Sequence, residues 1–339
     1  MKHNATRFVA IAVITVVLAG CGGGVTALLG LIGIGSTVAD ISDLFSGSNE
    51  QDADVLLDGQ VIRTVDRGNS TIRLQGLPEG RHLLQIVASD SRGILRVINV
   101  DAGSDVQLGE LQAQDGGLVS GRVTLKASDN SVRAAARVPV YAIPGGAARV
   151  AAGSGVTSLP PATTHYVTYT DGNGEYSLRA LAPGDYLVTA AVGGYMADVQ
   201  FIQALTVDQR QRNKNLELDE DNVSVGAAAG VVLGRTSGGS SSLGGASLRA
   251  RLSGGYSPDI PQDTINRIEN AYGGDLRGAP WFQWQVLSTL ADPGGSYQLS
   301  LPAGTPRIDA FSYGYQPTYR EPAIVAGTTT AVDFTLEDR

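Results

Sequence analysis

The sequence predicts an all-β chain: three β-sandwiches in tandem behind an exported N-terminus. Three observations carry that reading. Beyond residue 51 the dominant hydrophobic period is two, the signature of strands. Gly accounts for 44 of 339 residues, near twice the usual share of roughly 7%, and sits mostly as punctuation between alternating stretches. A strand–turn–strand grammar also recurs, opening near residues 69, 173 and 294.

Length and composition set the outer bounds. A chain of 339 residues exceeds one comfortable core and favours two or three domains. Its 42% apolar content suffices for packed interiors. A net charge of −8, with scattered basic residues, argues against a nucleic-acid surface, which needs clustered Lys and Arg. One cysteine leaves no internal disulfide framework, so stability must come from packing.

Residues 1–20 read as an export signal. Lys2 and Arg7 form a positive start, and Phe8 to Leu18 form an uncharged core short of the roughly 20 residues that span a bilayer. Leu18-Ala19-Gly20-Cys21 then resembles the bacterial lipobox. The resemblance implies cleavage before Cys21, lipidation of its thiol and anchorage in a membrane. Two or more acyl chains anchor durably where one is marginal. In Gram-negative sorting, Gly22 after the cysteine points to the outer membrane.

Residues 21–50 hold the lipidated Cys and an apolar, Gly-punctuated run up to Val38, then Asp40 and Asp43. Two readings stand: an amphipathic stretch lying in the headgroups or docking on a partner, or a disordered or loosely helical spacer. "SGSNEQ" reads as linker.

Three blocks follow: 51–113, 116–221 and 223–339. "NSTIRLQGLPEGRHLLQI", "NGEYSLRALAPGDYLVTA" and "GGSYQLSLPAGTPRIDAF" share a Gly or Asn turn, a strand with Leu near its end, a Pro/Gly turn and a second strand. Closing strands "DVQLGELQ", "NKNLELDE" and "AVDFTLED" complete each block. The period is too long for a solenoid and fits tandem sandwiches. Asp-Gly and Asn-Gly between alternating strands read as hairpin turns. In the third block Ile265, Ile268 and Tyr272 fall at helical spacing before Gly273, predicting a helical insertion near 258–272.

The middle block resembles the carboxypeptidase regulatory-like domain, through Gly121, the turn Thr170 to Tyr176, and Leu181-Ala182-Pro183-Gly184-Asp185-Tyr186. The last block resembles it more loosely, through "AAAGVVLGR" and "ADPGGSYQLSLPAGT". The first, with "VLLDGQ" and "LPEGRHLLQI", looks more like a PEGA-type domain. These resemblances imply Ig-like or prealbumin-like sandwiches, grouped with carbohydrate-binding-like folds, and no peptidase activity.

Motifs for chemistry are sparse. His3 leaves with the signal, and His82 and His165 show no metal-ligand spacing, so no metal or other cofactor is expected. No nucleophile elbow, HExxH or P-loop occurs. Asp171, Asn173 and Glu175 in "DGNGE" read as a turn rather than a calcium loop, which needs a longer ligand run. The suggestive patch is aromatic: Trp281 and Trp284, with Tyr256, Tyr313 and Tyr315 near in sequence. The spacing of the two tryptophans puts them on opposite strand faces, one filling a core and one near the surface. The reading is a non-catalytic envelope lipoprotein: a rod of three sandwiches anchored through Cys21 that scaffolds or recognises an envelope protein or glycan. The alternatives are a carbohydrate-binding module using the aromatic patch, or an accessory subunit of an envelope assembly.

Overall fold

The computed structural model describes residues 34–45, 52–68, 71–88, 92–101, 105–145, 166–272 and 284–339. The signal, Cys21, His165 and Trp281 lie outside them. Residues Ile32–Arg339 form one compact unit, almost entirely β. Among the described residues no helix is long and apolar enough to cross a membrane.

Sandwich 1 contains β1 (Ile34–Asp40), β2 (Asp52–Leu57), β3 (Gln60–Asp66), β4 (Thr71–Pro78), β5 (Gly80–Val87), β6 (Arg92–Val100), β7 (Asp105–Glu110) and β8 (Gln114–Asp115). One sheet runs β4-β1-β7 and the other β3-β2-β5-β6-β8. The alternation of "HLLQIV" does what period two requires. Leu84 and Ile86 point into the core between the sheets, which also holds Ile72, Leu74 and Leu77.

Sandwich 2 is built from β9 (Gly117–Lys126), β10 (Val132–Ala134), β11 (Pro139–Pro144), β12 (Tyr166–Tyr169), β13 (Glu175–Leu181), β14 (Gly184–Ala190), β15 (Val199–Leu205), β16 (Arg210–Gln211) and β17 (Leu216–Asp219). Its sheets are β10-β9-β13, with β16 and β17 also on β9, and β12-β11-β14-β15. Sandwich 3 repeats that pattern: β18 (Val225–Thr236), β19 (Gly239–Ser242), β20 (Ser247–Tyr256), β21 (Trp284–Leu290), β22 (Ser296–Pro302), β23 (Arg307–Phe311), β24 (Thr318–Arg320), β25 (Thr329–Ala331) and β26 (Phe334–Glu337). The orders β19-β18-β22, with β25 and β26 on β18, and β21-β20-β23-β24 match sandwich 2 strand for strand.

One local device is shared by both repeats. Gly121 faces Tyr176 across β9 and β13, and Gly230 faces Tyr297 across β18 and β22. A Cβ on either glycine would lie 2.2 Å from a carbonyl oxygen, of Lys214 or Val332. The facing tyrosine donates its hydroxyl to that same carbonyl. The bare glycine admits the chain leading to the closing strand, and the buried ring ties it down.

Two expectations are corrected here. Ile34–Asp40 is a strand, neither a disordered or helical spacer nor a stretch lying in the headgroups. It pairs antiparallel with β4 and parallel with β7, as β9 does with β13 and β17. Ile41, Leu44 and Phe45 are buried in the sandwich 1 core, so the sandwich includes residues from 34, not only from 51. Of the Asp-Gly turns, Asp58-Gly59 is the expected hairpin, joining the paired strands β2 and β3 with both residues at positive φ, but the Asp171 turn is not one. Asp171 to Gly174 joins β12 to β13, and Pro183-Gly184 joins β13 to β14, with each pair split between opposite sheets. The Asp171 carboxylate accepts from the N–H groups of Asn173 (2.8 Å) and Glu175 (2.9 Å). That bonding closes the turn from within, whichever sheet receives the next strand.

α1 (Gln262–Tyr272) fills the predicted insertion between β20 and β21. Ile268 is fully buried, with Ile265 beside it, against Ile143, Leu187 and Val199 on the outer face of sandwich 2. Arg267 fastens the helix there, reaching Asp198 Oδ1 at 2.7 Å and the Val199 carbonyl at 2.9 Å.

Candidate functional site

The three sandwiches meet at one junction, and most of the side chains that matter stand there. In a rod the first and third sandwiches would not touch. In this fold each sandwich contacts both others, so the expected rod is not what forms.

Sandwich 1 meets sandwich 2 through the outer face of its larger sheet. Leu56, Val87 and Ala180 form a small buried cluster, and Arg179 Nη2 pairs with Asp54 Oδ2 at 2.7 Å. Arg179 and Ala180 occupy a register break in β13, and Ala180 has a positive φ of 53°. Such a bulge re-aims side chains out of the regular ladder. Gly93 supplies the clearance, since a Cβ there would sit 2.8 Å from the Ala180 methyl.

Sandwich 1 meets sandwich 3 through charge. Asp58, in the β2–β3 turn, pairs with Arg249 Nη1 from β20. Asp58 Oδ2 also lies 2.7 Å from His82 Nδ1, and Asp58 Oδ1 accepts the Leu83 N–H at 2.9 Å. His82 Nε2 faces the Pro78 carbonyl at 2.9 Å. Both His82 partners are oxygen atoms, one of the Asp58 carboxylate and one of the Pro78 carbonyl. Burial alone would push Asp58 up; Arg249 and His82 outweigh it and hold the carboxyl well below its usual range. Asp58 in turn pushes the Arg249 guanidinium up. Phe311 adds an apolar contact by entering the sandwich 1 core, and the Arg339 guanidinium donates to the Gly76 carbonyl.

Sandwich 2 meets sandwich 3 through aromatics and hydroxyls. Tyr141 and Trp284 stack with centroids 5.1 Å apart and planes 23° apart. Tyr169 Oη donates to Ser288 Oγ at 2.9 Å, and Thr289 Oγ1 to the Arg137 carbonyl at 3.0 Å. The Gly194 N–H donates to Tyr256 Oη at 2.9 Å. Burial pushes the Tyr141, Tyr169 and Tyr256 hydroxyls up, which keeps them neutral donors.

The aromatic candidates do not assemble into a platform. Trp284 lies against Tyr141, and Tyr256 is buried at 3% exposure with its hydroxyl on the sandwich 2 backbone. Tyr313 reaches the Arg73 carbonyl of sandwich 1 at 3.5 Å. Tyr315 covers Gly234 within sandwich 3. Three of the four thus join sandwiches. Trp281 and Cys21 fall outside the described residues. Among those residues, no group of three or more His, Cys, Asp or Glu side chains could hold a metal ion.

Between the interfaces lies a cleft of about 570 Å³. Its walls are the outer face of the larger sandwich 1 sheet and the β12–β13 region of sandwich 2. Gly245 and Leu290 bring sandwich 3 to it. Gln60 and Gln85 line it, 6% and 5% exposed. Gln60 Nε2 donates to the Gly245 carbonyl at 2.6 Å, whereas the side-chain oxygens of both glutamines are buried without a hydrogen-bond partner. Sequence reading passed over this pair because each looks like an ordinary polar residue in an alternating strand. Packing of the neighbouring sandwiches buries them: Gln60 reaches Gly245 of sandwich 3, and Gln85 stands level with Leu56 on the face that meets sandwich 2.

The chain matches no protein-family model and no curated protein. Among solved structures it is similar to the Bacillus anthracis TIE protein, at 10% identity and a TM-score of 0.21, covering 91% of this chain and 51% of that one. The chain therefore spans about half the length of that protein. It is also similar to GBS52, the minor pilin of Streptococcus agalactiae, at 14% identity, TM-score 0.24, and 66% and 96% coverage. The shaft pilin SpaA of Lactobacillus rhamnosus GG matches at 12% identity, TM-score 0.23, and 66% and 97% coverage.

Proposed function

We propose that this chain is a non-catalytic binding or scaffolding module of the cell envelope, held to the outer membrane through lipidated Cys21, whose three sandwiches act as one rigid head. The observation that carries the reading is the three-way junction. Asp58–Arg249, Arg179–Asp54 and Tyr141–Trp284 each tie a different pair of sandwiches. Polar side chains that could serve chemistry, His82 and Asp58 above all, are committed to holding sandwiches together. A head of this kind presents fixed surfaces to a protein or glycan partner without loss of inter-domain freedom on binding. The matching strand orders of sandwiches 2 and 3 support their reading as two copies of one regulatory-like module. The lipobox at Leu18 to Cys21 supports the anchor.

Crosslinking in intact cells, followed by mass spectrometry of captured partners and of the N-terminal peptide, tests this. A diacylated Cys21 and a reproducible envelope partner are expected. An unmodified thiol, or turnover of a substrate by purified protein, would contradict it.

A further inference from the structure

We propose that the outer edge of β22 takes up a short, extended acidic segment of a partner protein, held between that edge and Arg133 and Arg137 of sandwich 2. This rests on the reading of the chain as a binding module and deepens it, by naming a surface and the chemistry of its partner. β22 is paired by β18 alone among the described strands. The odd-numbered residues of β18 turn their backbone groups to its other side. There the Val225 and Ala229 carbonyls accept from Gly327 and Val332, and the Ala227 N–H donates to the Thr328 carbonyl. The even-numbered Gly226, Ala228 and Gly230 therefore serve β22, opposite Leu301, Leu299 and Tyr297. Backbone groups alternate sides along a strand, so those of Gln298 and Ser300 point away from β18. Gly193 closes the Ser300 end, where a Cβ would lie 2.4 Å from the Ser300 carbonyl oxygen. Ser296 and Gln298 are exposed. No charge, proline or register break interrupts Ser296 to Leu301, and those are the devices that ordinarily guard an open edge.

The opposite wall supplies the charge. The edge borders a second cleft, of about 420 Å³, lined on the sandwich 2 side by Arg133 and Arg137. Arg137 has a positive φ of 59°, and its N–H donates to the Thr170 carbonyl. At the matching place in sandwich 3, Gly245 has a φ of 76° and donates to the Ala291 carbonyl. The repeat thus shows that glycine serves this turn, where a side chain brings strain. Sandwich 2 instead carries a half-buried arginine whose guanidinium has no hydrogen bond or ion pair among the described residues. An observed outlier of this kind points to a side chain kept for its function. Arg133 reaches the Tyr195 hydroxyl at 3.4 Å. The carboxylate of the cleft, Asp292, is taken by the Ser296 N–H at 2.8 Å. Two positive charges therefore face one engaged negative charge, in a chain of net charge −8. An extended acidic segment answers both walls. Its backbone continues the sheet beyond β22, and its carboxylates match the planar fork of the guanidiniums. A cleft of this volume admits a few residues of extended chain rather than a folded domain.

The test is fluorescence anisotropy of labelled heptapeptides with the purified full-length protein in a nonionic detergent. The acidic probe is TVEVEVT and the basic comparator TVKVKVT. The acidic peptide is expected to saturate with a Kd below roughly 1 mM and to bind about tenfold or more tighter than the basic one. Gln298→Pro removes one outward N–H and leaves the β18 ladder in place, since proline is tolerated where the N–H faces out from an edge. It should abolish saturable binding. Arg137→Gly installs the residue that sandwich 3 uses, so its melting temperature should be unchanged or higher. It should weaken the acidic peptide about fivefold or more. If Gln298→Pro lowers the melting temperature, Arg137→Gly decides alone. No saturable binding of the acidic peptide, equal binding of the basic one, or acidic binding unchanged by Arg137→Gly would each overturn the proposal. Each of those results leaves the broader binding reading to the crosslinking in intact cells, which does not depend on β22.

Discussion

Arg249 of sandwich 3 and Asp58 of sandwich 1 lie 191 positions apart in sequence and share an ion pair at the junction. The side chains are 31% and 21% exposed, shielded enough that neither charge can be removed cheaply. Asp58→Asn leaves Arg249 facing a neutral amide. Breaking such a pair from one side costs more than the pair itself contributes, here about 2–3 kcal/mol. Urea denaturation checks this; the expected outcome is a lower midpoint, and a separate early transition if sandwich 1 detaches first.

The same pair sets a pH dependence. The folded-state pKa of Asp58 is depressed, so its contribution to stability is complete above the unfolded value near 4. It is lost as pH falls below that value towards the lower folded pKa. The stability difference between the wild-type chain and Asp58→Asn should therefore hold from pH 7 to about 4. It should then shrink on further acidification. A gap that widens on acidification would contradict the assignment.

Trp284 and Tyr141 carry the second prediction about rigidity. Replacing Trp284 by Ala removes a stacked ring between sandwiches 2 and 3 and should cost about 3 kcal/mol. Hydrogen exchange should quicken at β11 and β21 while the β1–β7 sheet of sandwich 1 keeps its protection.

Gly121 and Gly230 should each be intolerant of Ala, because the added methyl meets a backbone carbonyl that cannot retreat without shifting the closing strand. About 2–4 kcal/mol is expected. The facing Tyr176→Phe should cost only about 1–2 kcal/mol, the loss of one buried hydroxyl bond to Lys214. Thermal melts of the three variants would rank them in that order.

Much of the architecture was legible in the chain itself, and its gaps have physical reasons. Alternation such as that around Leu84 and Ile86 marks strands because only period two puts both side chains on one face. The helix followed from Ile265 and Ile268 in the same way. Strand β1 was missed because "IGSTVAD" follows an apolar, glycine-rich run and alternates weakly; its role is set by β4 and β7, which lie far along the sequence. The Asp171 turn was misread as a hairpin because its bonds are internal, so the same residues serve an arch between sheets. The aromatic patch dissolved for a related reason. Alternation tells which face of a strand a side chain occupies, not whether solvent or another sandwich covers that face. Trp284, Tyr256 and the Gln60–Gln85 pair all depend on that second fact.

The importance of β1 yields its own test. A chain starting at residue 51 should lose the β4-β1-β7 sheet and expose Ile72 and Leu74, while one starting at residue 32 should fold. Binding of a hydrophobic dye by the first and not the second is the expected result.

Small-angle X-ray scattering on the chain from residue 32 onwards probes the three-way junction most directly. Three mutually clamped sandwiches predict a compact particle with a radius of gyration of about 20 Å. An elongated profile, with a longest dimension approaching three sandwiches end to end, would show that the first and third do not meet and would contradict the account.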